Sequence, residues 1–231
     1  KPKHKLGEFM VDAAIESLKE TEAVLFVVAG NEKRGPGDNF IIEQLKRVKV
    51  PVFLVVNKID TLQKEQVLEA IVSYQDAYPF AGVIPISAKN KENLSELLNV
   101  LGEHLPEGPQ YFPEDMITDQ PERLIISDIV REKILLSTRD EIPHAIAVDV
   151  DEMKTRDDGT TYIRATIYCE RDSQKGIIIG NKGALLRKIG AEARVDIQKL
   201  LATKVYLDLW VKVKKDWRNK SGMLSELGYK K

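Results

Sequence analysis

The chain has 231 residues, 43% of them hydrophobic and 31% charged, a composition typical of a globular protein with one or two domains. Its single cysteine excludes an intramolecular disulfide, and no apolar run of about 18 residues predicts a membrane-spanning helix. The net charge of −1 conceals a basic segment, because residues 171–220 hold 13 Lys and Arg against 5 Asp and Glu. This segment either binds a polyanion, most often a nucleic acid, or forms a solvated charged face.

Apolar residues in the first half of the chain follow helical and strand patterns in alternation. Helices are predicted over residues 6–19, 40–48, 63–74 and 94–105. Strands buried on both faces are predicted over residues 23–29 and 50–56, and a third, short strand over residues 83–86. Alternating strands and helices predict a doubly wound α/β sheet. We therefore assign residues 1–107 to a first domain. Residues 108–120, in which proline and glycine interrupt the pattern, are the predicted linker.

Polar residues follow two consecutive strands of this predicted sheet, at the edge where open α/β sheets bind ligands. The first group is Asn57, Lys58 and Asp60, and the second is Ser87, Ala88 and Lys89. The Asp60 carboxylate can accept two parallel hydrogen bonds from the N1–H and N2–H₂ groups of guanine, and the Ala88 N–H can donate to O6. Lysine stems can cover the base, and the Asn57 amide can bridge to the neighbouring loop. Either group alone is equally well explained as an ordinary loop with a helix-capping serine. Together they predict a guanine-nucleotide site.

The second half of the chain has a different order of predicted elements. A helix over residues 121–136 precedes two alternating strands, residues 146–151 and 163–169, joined by an Asp158-Gly159 turn. A short apolar helix, a Gly-rich turn, a long helix over residues 186–200 and a last strand over residues 205–213 follow. We assign residues 121–231 to a second, α+β domain.

The turn Gly180-Asn181-Lys182-Gly183 lies between the two helices of this second domain. Glycines allow a nucleic-acid strand to approach the backbone, and the N-terminus of the next helix favours phosphate. This arrangement resembles the G-x-x-G clamp of KH domains of the prokaryotic type, which holds about four nucleotides of a single strand. A plain corner between two helices is the alternative. The neighbouring residues predicted to contact RNA are Lys175, Ile178, Ile179, Arg187 and Lys188.

Basic and aromatic residues alternate after the last strand. The basic residues are Lys212, Lys214, Lys215 and Arg218, interleaved with Trp210 and Trp217. Cations contact phosphates and tryptophans stack on bases, so the pattern extends the predicted RNA surface. Packing of either tryptophan beneath the tail is the alternative.

Over essentially its whole length the chain resembles the Era family of bacterial GTPases, in which a G domain precedes a KH domain. The resemblance rests on the two guanine-reading groups, the G-x-x-G turn, the linker 111–123 and the segments 209–214 and 227–229. The sequence departs from the family in having no G-x-x-x-x-G-K-[ST] phosphate loop and no D-x-x-G motif. The expected fold is therefore an incomplete doubly wound G domain followed by a KH domain. Hydrolytic residues and the Mg²⁺ site are expected upstream of Lys1, and no metal ligand is predicted within the chain.

The resemblance implies that the intact protein hydrolyses GTP and that GTP or GDP, with Mg²⁺, gates its binding of RNA. It also implies that the KH domain binds the 3′ end of small-subunit ribosomal RNA and that the protein assists assembly of the small ribosomal subunit. A cytoplasmic monomer is expected, with peripheral membrane association as in some family members. The alternative is a non-enzymatic RNA-binding assembly factor, which the missing phosphate loop favours for the chain alone.

Overall fold

A computed structural model describes residues 4–110, 112–113, 118, 120–138, 142 and 146–229. The chain divides into two compact units. We call residues 11–111 the N-terminal unit, and residues 1–10 together with 112–231 the C-terminal unit. The predicted linker 108–120 lies partly outside the described residues, at positions 111, 114–117 and 119. Among the helices that the structure describes, none combines the length and the apolar character needed to cross a membrane.

Three parallel strands form the sheet of the N-terminal unit, in the order β1-β2-β3. The strands are β1 (Val24–Ala29), β2 (Val52–Asn57) and β3 (Gly82–Pro85). The helices are α1 (Lys5–Ser17), α2 (Pro36–Leu45), α3 (Lys64–Gln75) and α4 (Leu94–Gly102). The first residues of α1 belong to the C-terminal unit. Helix α2 starts earlier than the apolar pattern predicts. Pro36 supplies its first turn, and the Asp38 carboxylate accepts a hydrogen bond from the Gly35 N–H at 2.7 Å.

The two faces of this sheet are covered to different extents. Residues Val52 to Val56 of β2 are all buried, between a cluster around Phe26 and Leu54 on one face and a cluster around Phe53 and Leu97 on the other. The prediction that the first strand is buried on both faces is wrong. Leu25 and Val27 of β1 are 39% and 54% exposed, because among the described residues no helix covers that side of the edge strand.

The C-terminal unit is built on a second three-stranded sheet, in the order β4-β5-β6. Its main helices pack on one face, and residues around Trp217 and Leu224 pack against Ala147 on the other. Its elements are α5 (Glu122–Ser137), β4 (Ala147–Thr155), β5 (Thr161–Cys169), α6 (Asp172–Ile179), α7 (Ala184–Leu201), β6 (Val205–Val213) and α8 (Ser221–Glu226). Strand β5 is antiparallel to β4 and parallel to β6. Since β6 follows β5 through α6 and α7, the G-x-x-G turn lies within the crossover between two parallel strands.

A bulge interrupts the strict alternation predicted for the hairpin. The pairing of β4 with β5 shifts register between Val150 and Glu152, leaving Asp151 as the extra residue. The Asp151 carboxylate accepts a hydrogen bond from the Thr166 hydroxyl at 2.6 Å. Thr166 is fully buried, although it alternates with the residues of β5 that face the core.

Candidate functional site

The guanine-reading groups lie at the carboxyl ends of β2 and β3. Asn57 is the last residue of β2, and its side-chain oxygen accepts hydrogen bonds from the N–H groups of Lys58, at 2.7 Å, and Ala88, at 3.0 Å. Lys58 adopts a left-handed conformation with φ 69°, which turns the chain sharply after the strand. The amide of Asn57 therefore ties together two loops that are far apart in sequence. In this arrangement the Ala88 N–H, predicted to donate to guanine O6, donates to Asn57.

Ser87 and Asp60 form the second link between these loops. The fully buried Ser87 hydroxyl donates to Asp60 Oδ1 at 2.7 Å and accepts from the Asn90 N–H at 3.1 Å. Each carboxylate oxygen carries two lone pairs, so Asp60 keeps acceptor capacity on both oxygens while Ser87 orients it. Asp60 itself is exposed. The serine therefore holds the carboxylate in place, and it also accepts the capping-type hydrogen bond from the N–H three residues later that the alternative predicts.

The two lysines of the predicted site are exposed. Lys89 lies on the surface beside Ala88, while Lys58 Nζ lies 3.6 Å from a Glu32 carboxylate oxygen that the sequence did not single out. Gly30, another residue that the motifs missed, packs against the end of β2. A Cβ at position 30 would lie 3.0 Å from side-chain atoms of Val56 and Leu62, so this loop approaches the strand closely. Within the described part of the chain, no group of three acidic, His or Cys side chains is placed to hold a metal ion.

The G-x-x-G turn has a backbone that requires its first glycine. Gly180 has φ 70° and ψ 179°, a combination open almost only to glycine, and a Cβ there would lie 2.7 Å from Leu185 Cβ. Gly183 is left-handed, with φ 77° and ψ 14°, but nothing lies within 4 Å of its added Cβ. Asn181 and Lys182 are exposed between them. The turn opens directly into the N-terminus of the 18-residue helix α7, where backbone N–H groups favour an anion.

A groove of about 530 Å³ runs from this turn between α7 and the edge strand β6. Its lining combines small and apolar residues with two arginines: Gly183, Leu186, Arg187, Gly190, Ala191, Arg194, Tyr206, Leu207 and Leu209. Of these, the sequence analysis named only Gly183 and Arg187. The spacing of residues 187, 190, 191 and 194 along one helix face was the available signal. An apolar floor with cations at the rim suits a single strand whose bases face inward and whose phosphates face outward.

The residues predicted around the turn divide into core and surface positions. Ile178 is fully buried in the core of the C-terminal unit, so its predicted side-chain contact with RNA is wrong. Ile179 and Lys175 are half-buried. Arg187 and Lys188 are exposed, with Lys188 Nζ 3.9 Å from Glu192 on the next turn of α7.

The residues of the tail after β6 also divide into core and surface positions. Lys212, Lys214 and Lys215 are exposed, whereas Trp217 is 1% exposed and packs with Ala147 and Leu224. Base stacking by Trp217 is therefore wrong, and the alternative of packing beneath the tail holds for this residue.

Arg218 is likewise held within the protein. Its guanidinium forms a two-pronged ion pair with Glu170, in which Nε lies 3.1 Å from Oε1 and Nη2 lies 2.5 Å from Oε2. The two side chains are 20% and 14% exposed. The predicted phosphate contact is wrong for Arg218, because this cation is neutralised where the tail meets the sheet.

Comparison with protein-family models matches both halves of the chain. Residues 8–107 match the elongation factor Tu GTP-binding domain, and residues 141–218 match the KH domain. Over the full chain, the sequence is 51% identical to the GTPase Era of Ruminiclostridium cellulolyticum, of which it covers 77%. It is 50% identical to the GTPase Era of Clostridium kluyveri, of which it covers 78%.

Two solved structures share this fold and 40% of the sequence. One is a variant of Aquifex aeolicus Era bound to GDP and AlF₄⁻, with a TM-score of 0.91. The other is Era in complex with MgGDPNP and nucleotides 1506–1542 of 16S ribosomal RNA, with a TM-score of 0.92. Each match covers 99% of this chain and 78% of the other.

Proposed function

Because the chain belongs to the Era family of GTPases, we propose that it binds guanine nucleotides through its N-terminal unit and ribosomal RNA through its C-terminal unit. In this assignment residues 1–107 are the C-terminal part of the G domain, residues 108–120 the linker and residues 121–231 the KH domain. The sequence holds no phosphate-loop motif. The residues of this chain are thus proposed to recognise the base, and no contact with the phosphates or Mg²⁺ is assigned to them.

Guanine recognition is supported by the hydrogen bond between Ser87 and Asp60. A carboxylate held by a buried hydroxyl presents paired acceptors in a fixed direction, which matches the N1–H and N2–H₂ edge of guanine and no pair on adenine. Asn57 fixes the distance between the two loops. Lys58 and Lys89 are assigned to the two faces of the base. A base inserted beside Lys58 competes with Glu32 for this lysine.

RNA binding is supported most strongly by the groove that begins at the G-x-x-G turn. The Era structure with nucleotides 1506–1542 of 16S ribosomal RNA directs the proposal to the 3′ end of small-subunit ribosomal RNA. Gly180, Asn181, Lys182 and Gly183 contact the backbone of a single strand, and Arg187 binds one of its phosphates. Lys175, Ile179, Lys188 and the exposed tail lysines Lys212, Lys214 and Lys215 are assigned to the surrounding surface.

From the family we further propose a monomeric, cytoplasmic factor in assembly of the small ribosomal subunit, with peripheral membrane association. Nucleotide state is proposed to gate RNA binding in the intact protein. A non-enzymatic RNA-binding factor is the second candidate, favoured by the missing phosphate loop. Because only base contacts are assigned to this chain, the test uses nucleosides. Saturable binding of guanosine but not adenosine in an NMR titration of the 231-residue chain supports the first candidate, and binding of neither supports the second.

The RNA proposal is tested by fluorescence anisotropy with a labelled single-stranded RNA copy of the 3′ end of 16S ribosomal RNA. A double variant, Asn181→Asp with Lys182→Asp, keeps both glycines and places negative charge in the turn, so we expect at least a tenfold loss of affinity. Lys199→Asp reverses a charge on the last turns of the same helix and serves as control. Equal affinities of the double variant and the control would refute the assignment of the turn.

A further inference from the structure

Aromatic and cationic side chains cluster on the face of the β4-β5-β6 sheet that points away from α6 and α7. We call Lys154, Arg156, Tyr162, Arg164 and Tyr206 the outer-face cluster. The rings of Tyr162 and Tyr206 stack with centroids 5.8 Å apart and planes 18° apart. Arg156 lies over both rings, with Cζ at 4.9 Å and 5.0 Å from their centroids. The Lys154 and Arg164 head groups lie 5.5 Å and 5.7 Å from the Tyr162 ring.

The cations of this cluster differ in how they are neutralised. Lys154 pairs with Glu152 at 2.7 Å, and Arg164 pairs with Asp208 at 3.4 Å. Arg156 is exposed and forms no ion pair within 4 Å among the described residues. Hydrogen bonds from Thr160, and then the nearby charge of Arg156, lower the pKa of Asp158. The guanidinium of Arg156 is positioned by two aromatic rings instead. Arg156 is thus a preorganised cation with its hydrogen-bond donors available to an anion.

A second exposed ring lies on the same face of the edge strand. Trp210 is 52% exposed, four residues after Tyr206, which is 54% exposed. The Trp210 indole N–H donates to Asp208 Oδ2 at 3.0 Å, which restricts the orientation of the ring. Burial raises the pKa of Asp208, but hydrogen bonds from Trp210, Tyr162 and Arg164 outweigh it, so the net pKa is lowered and the carboxylate stays an acceptor. At about 3.3 Å per residue, the two rings stand ~13 Å apart along β6.

Tyr206 connects this face to the groove. It belongs both to the groove lining, beside Arg194, and to the outer-face cluster, where it stacks on Tyr162. Since β6 is the edge strand, nothing in the described sheet separates the end of the groove from the outer face. A strand leaving the groove at Arg194 therefore meets Tyr206 and, immediately beyond it, the guanidinium of Arg156.

We propose that the single-stranded RNA held in the groove continues around the edge of β6 onto the outer face of the sheet, where Arg156 binds a phosphate and Trp210 stacks on a base. The inference rests on the proposed RNA-binding function and extends it from the nucleotides in the groove to those flanking them. Exposed aromatic rings and an arginine stacked on them suit single-strand binding, but protein interfaces use the same residue types. RNA is favoured because Tyr206 makes the cluster continuous with the groove. If the flanking RNA adds no affinity, the outer-face cluster is instead assigned to binding a protein partner.

Two labelled RNAs test the proposal in fluorescence anisotropy with the 231-residue chain. A short RNA of about six nucleotides fills only the groove, since a KH clamp holds about four. A long RNA carries the same central sequence with about six further nucleotides at each end. Trp210→Ala is expected to weaken the long RNA about tenfold and leave the short RNA unchanged. Trp210→Phe keeps a stacking ring and is expected to restore most of the affinity.

Arg156→Ala is expected to weaken the long RNA and to reduce the slope of log affinity against log salt by about 0.7, the value for one single-strand phosphate. Arg47→Ala, with the same charge change in the N-terminal unit, is the control. Emission from the buried Trp217 verifies that each variant is folded. The proposal is overturned if the long RNA binds no more tightly than the short one, or if the variants affect both RNAs equally. Failure of the short RNA to bind the unmodified chain would instead refute the proposed function.

Discussion

The two glycines of the G-x-x-G turn, alike in sequence, are expected to respond differently to substitution. Gly180 occupies a backbone region that costs other residues about 1–3 kcal/mol, and its added Cβ would also lie 2.7 Å from Leu185 Cβ and 3.0 Å from the Leu185 nitrogen. Those atoms belong to helix α7 and cannot rotate away. At Gly183, the left-handed conformation costs a residue with a side chain about 1–2 kcal/mol, and the added Cβ meets no atom within 4 Å. Reduced freedom of the unfolded chain offsets about 0.4–1 kcal/mol of either loss.

We therefore expect Gly180→Ala to lower the free energy of unfolding by about 3 kcal/mol and Gly183→Ala by at most about 1.6 kcal/mol. Asparagine tolerates the left-handed region, so Gly183→Asn is expected to be nearly neutral. Urea denaturation followed by tryptophan emission measures the difference. Both tryptophans of the chain lie in the C-terminal unit, so the signal reports on the unit that contains the turn.

With a denaturant dependence of about 1.5 kcal/mol per M, Gly180→Ala should lower the urea midpoint by about 2 M and Gly183→Ala by at most about 1 M. The reasoning is wrong if the two alanine variants have the same midpoint, or if Gly183→Ala is the less stable. It is also wrong if Gly183→Asn loses as much stability as Gly180→Ala, because the steric distinction between the two positions would then have no effect.

Three further outcomes are expected. Trp217→Ala should lower the free energy of unfolding by about 3–5 kcal/mol, because a ring that is 1% exposed leaves a cavity, while Trp217→Phe should stay folded and bind RNA normally in anisotropy. Asp60→Asn should shift nucleotide preference from guanine towards xanthine in competition between GDP and XDP, since paired acceptors become one acceptor and one donor; unchanged preference would contradict base reading by Asp60. Burial and then the neighbouring Asp151 raise the pKa of Asp149, so the ionised group costs stability once the pH exceeds that pKa. Asp149→Asn should therefore stabilise the protein at pH 7, and this gain in thermal unfolding should disappear as the pH falls through the raised pKa; a gain independent of pH would argue against the assignment.

Local patterns in the sequence predicted the types of the six strands and of helices α1 to α7, and both motifs, but not helix α8 after the last strand. The run Val52 to Val56 predicts a strand buried on both faces, and β2 is one. The apolar run of β1 carries the same prediction, yet its Leu25 and Val27 are exposed, because an apolar run does not specify how many faces of the strand its neighbours cover. The bulge at Asp151 was equally invisible, since it depends on pairing with β5.

In the candidate sites too, the residue types were predictable from the sequence, whereas their contacts depend on the tertiary structure. Sequence analysis identified Asp60 and Ser87, but the hydrogen bond between them, across 27 positions of the chain, belongs to the sheet that brings two loops together. It identified Gly180 and Gly183 but not Arg194 or Tyr206, which line the groove because α7 packs beside β6.

What the sequence by itself determined was the chemistry available: acceptors for guanine, glycines and cations for RNA, and the order of strands and helices that carries them. Only the tertiary structure decided which of those groups face a ligand. Trp210 and Trp217 stand seven residues apart in one basic, aromatic stretch, yet the first is 52% exposed and the second 1%. The physical reason is that periodicity is a property of neighbouring residues, whereas burial is set by contacts with distant ones. The Trp217 side chain packs against Ala147, and the Arg218 beside it pairs with Glu170.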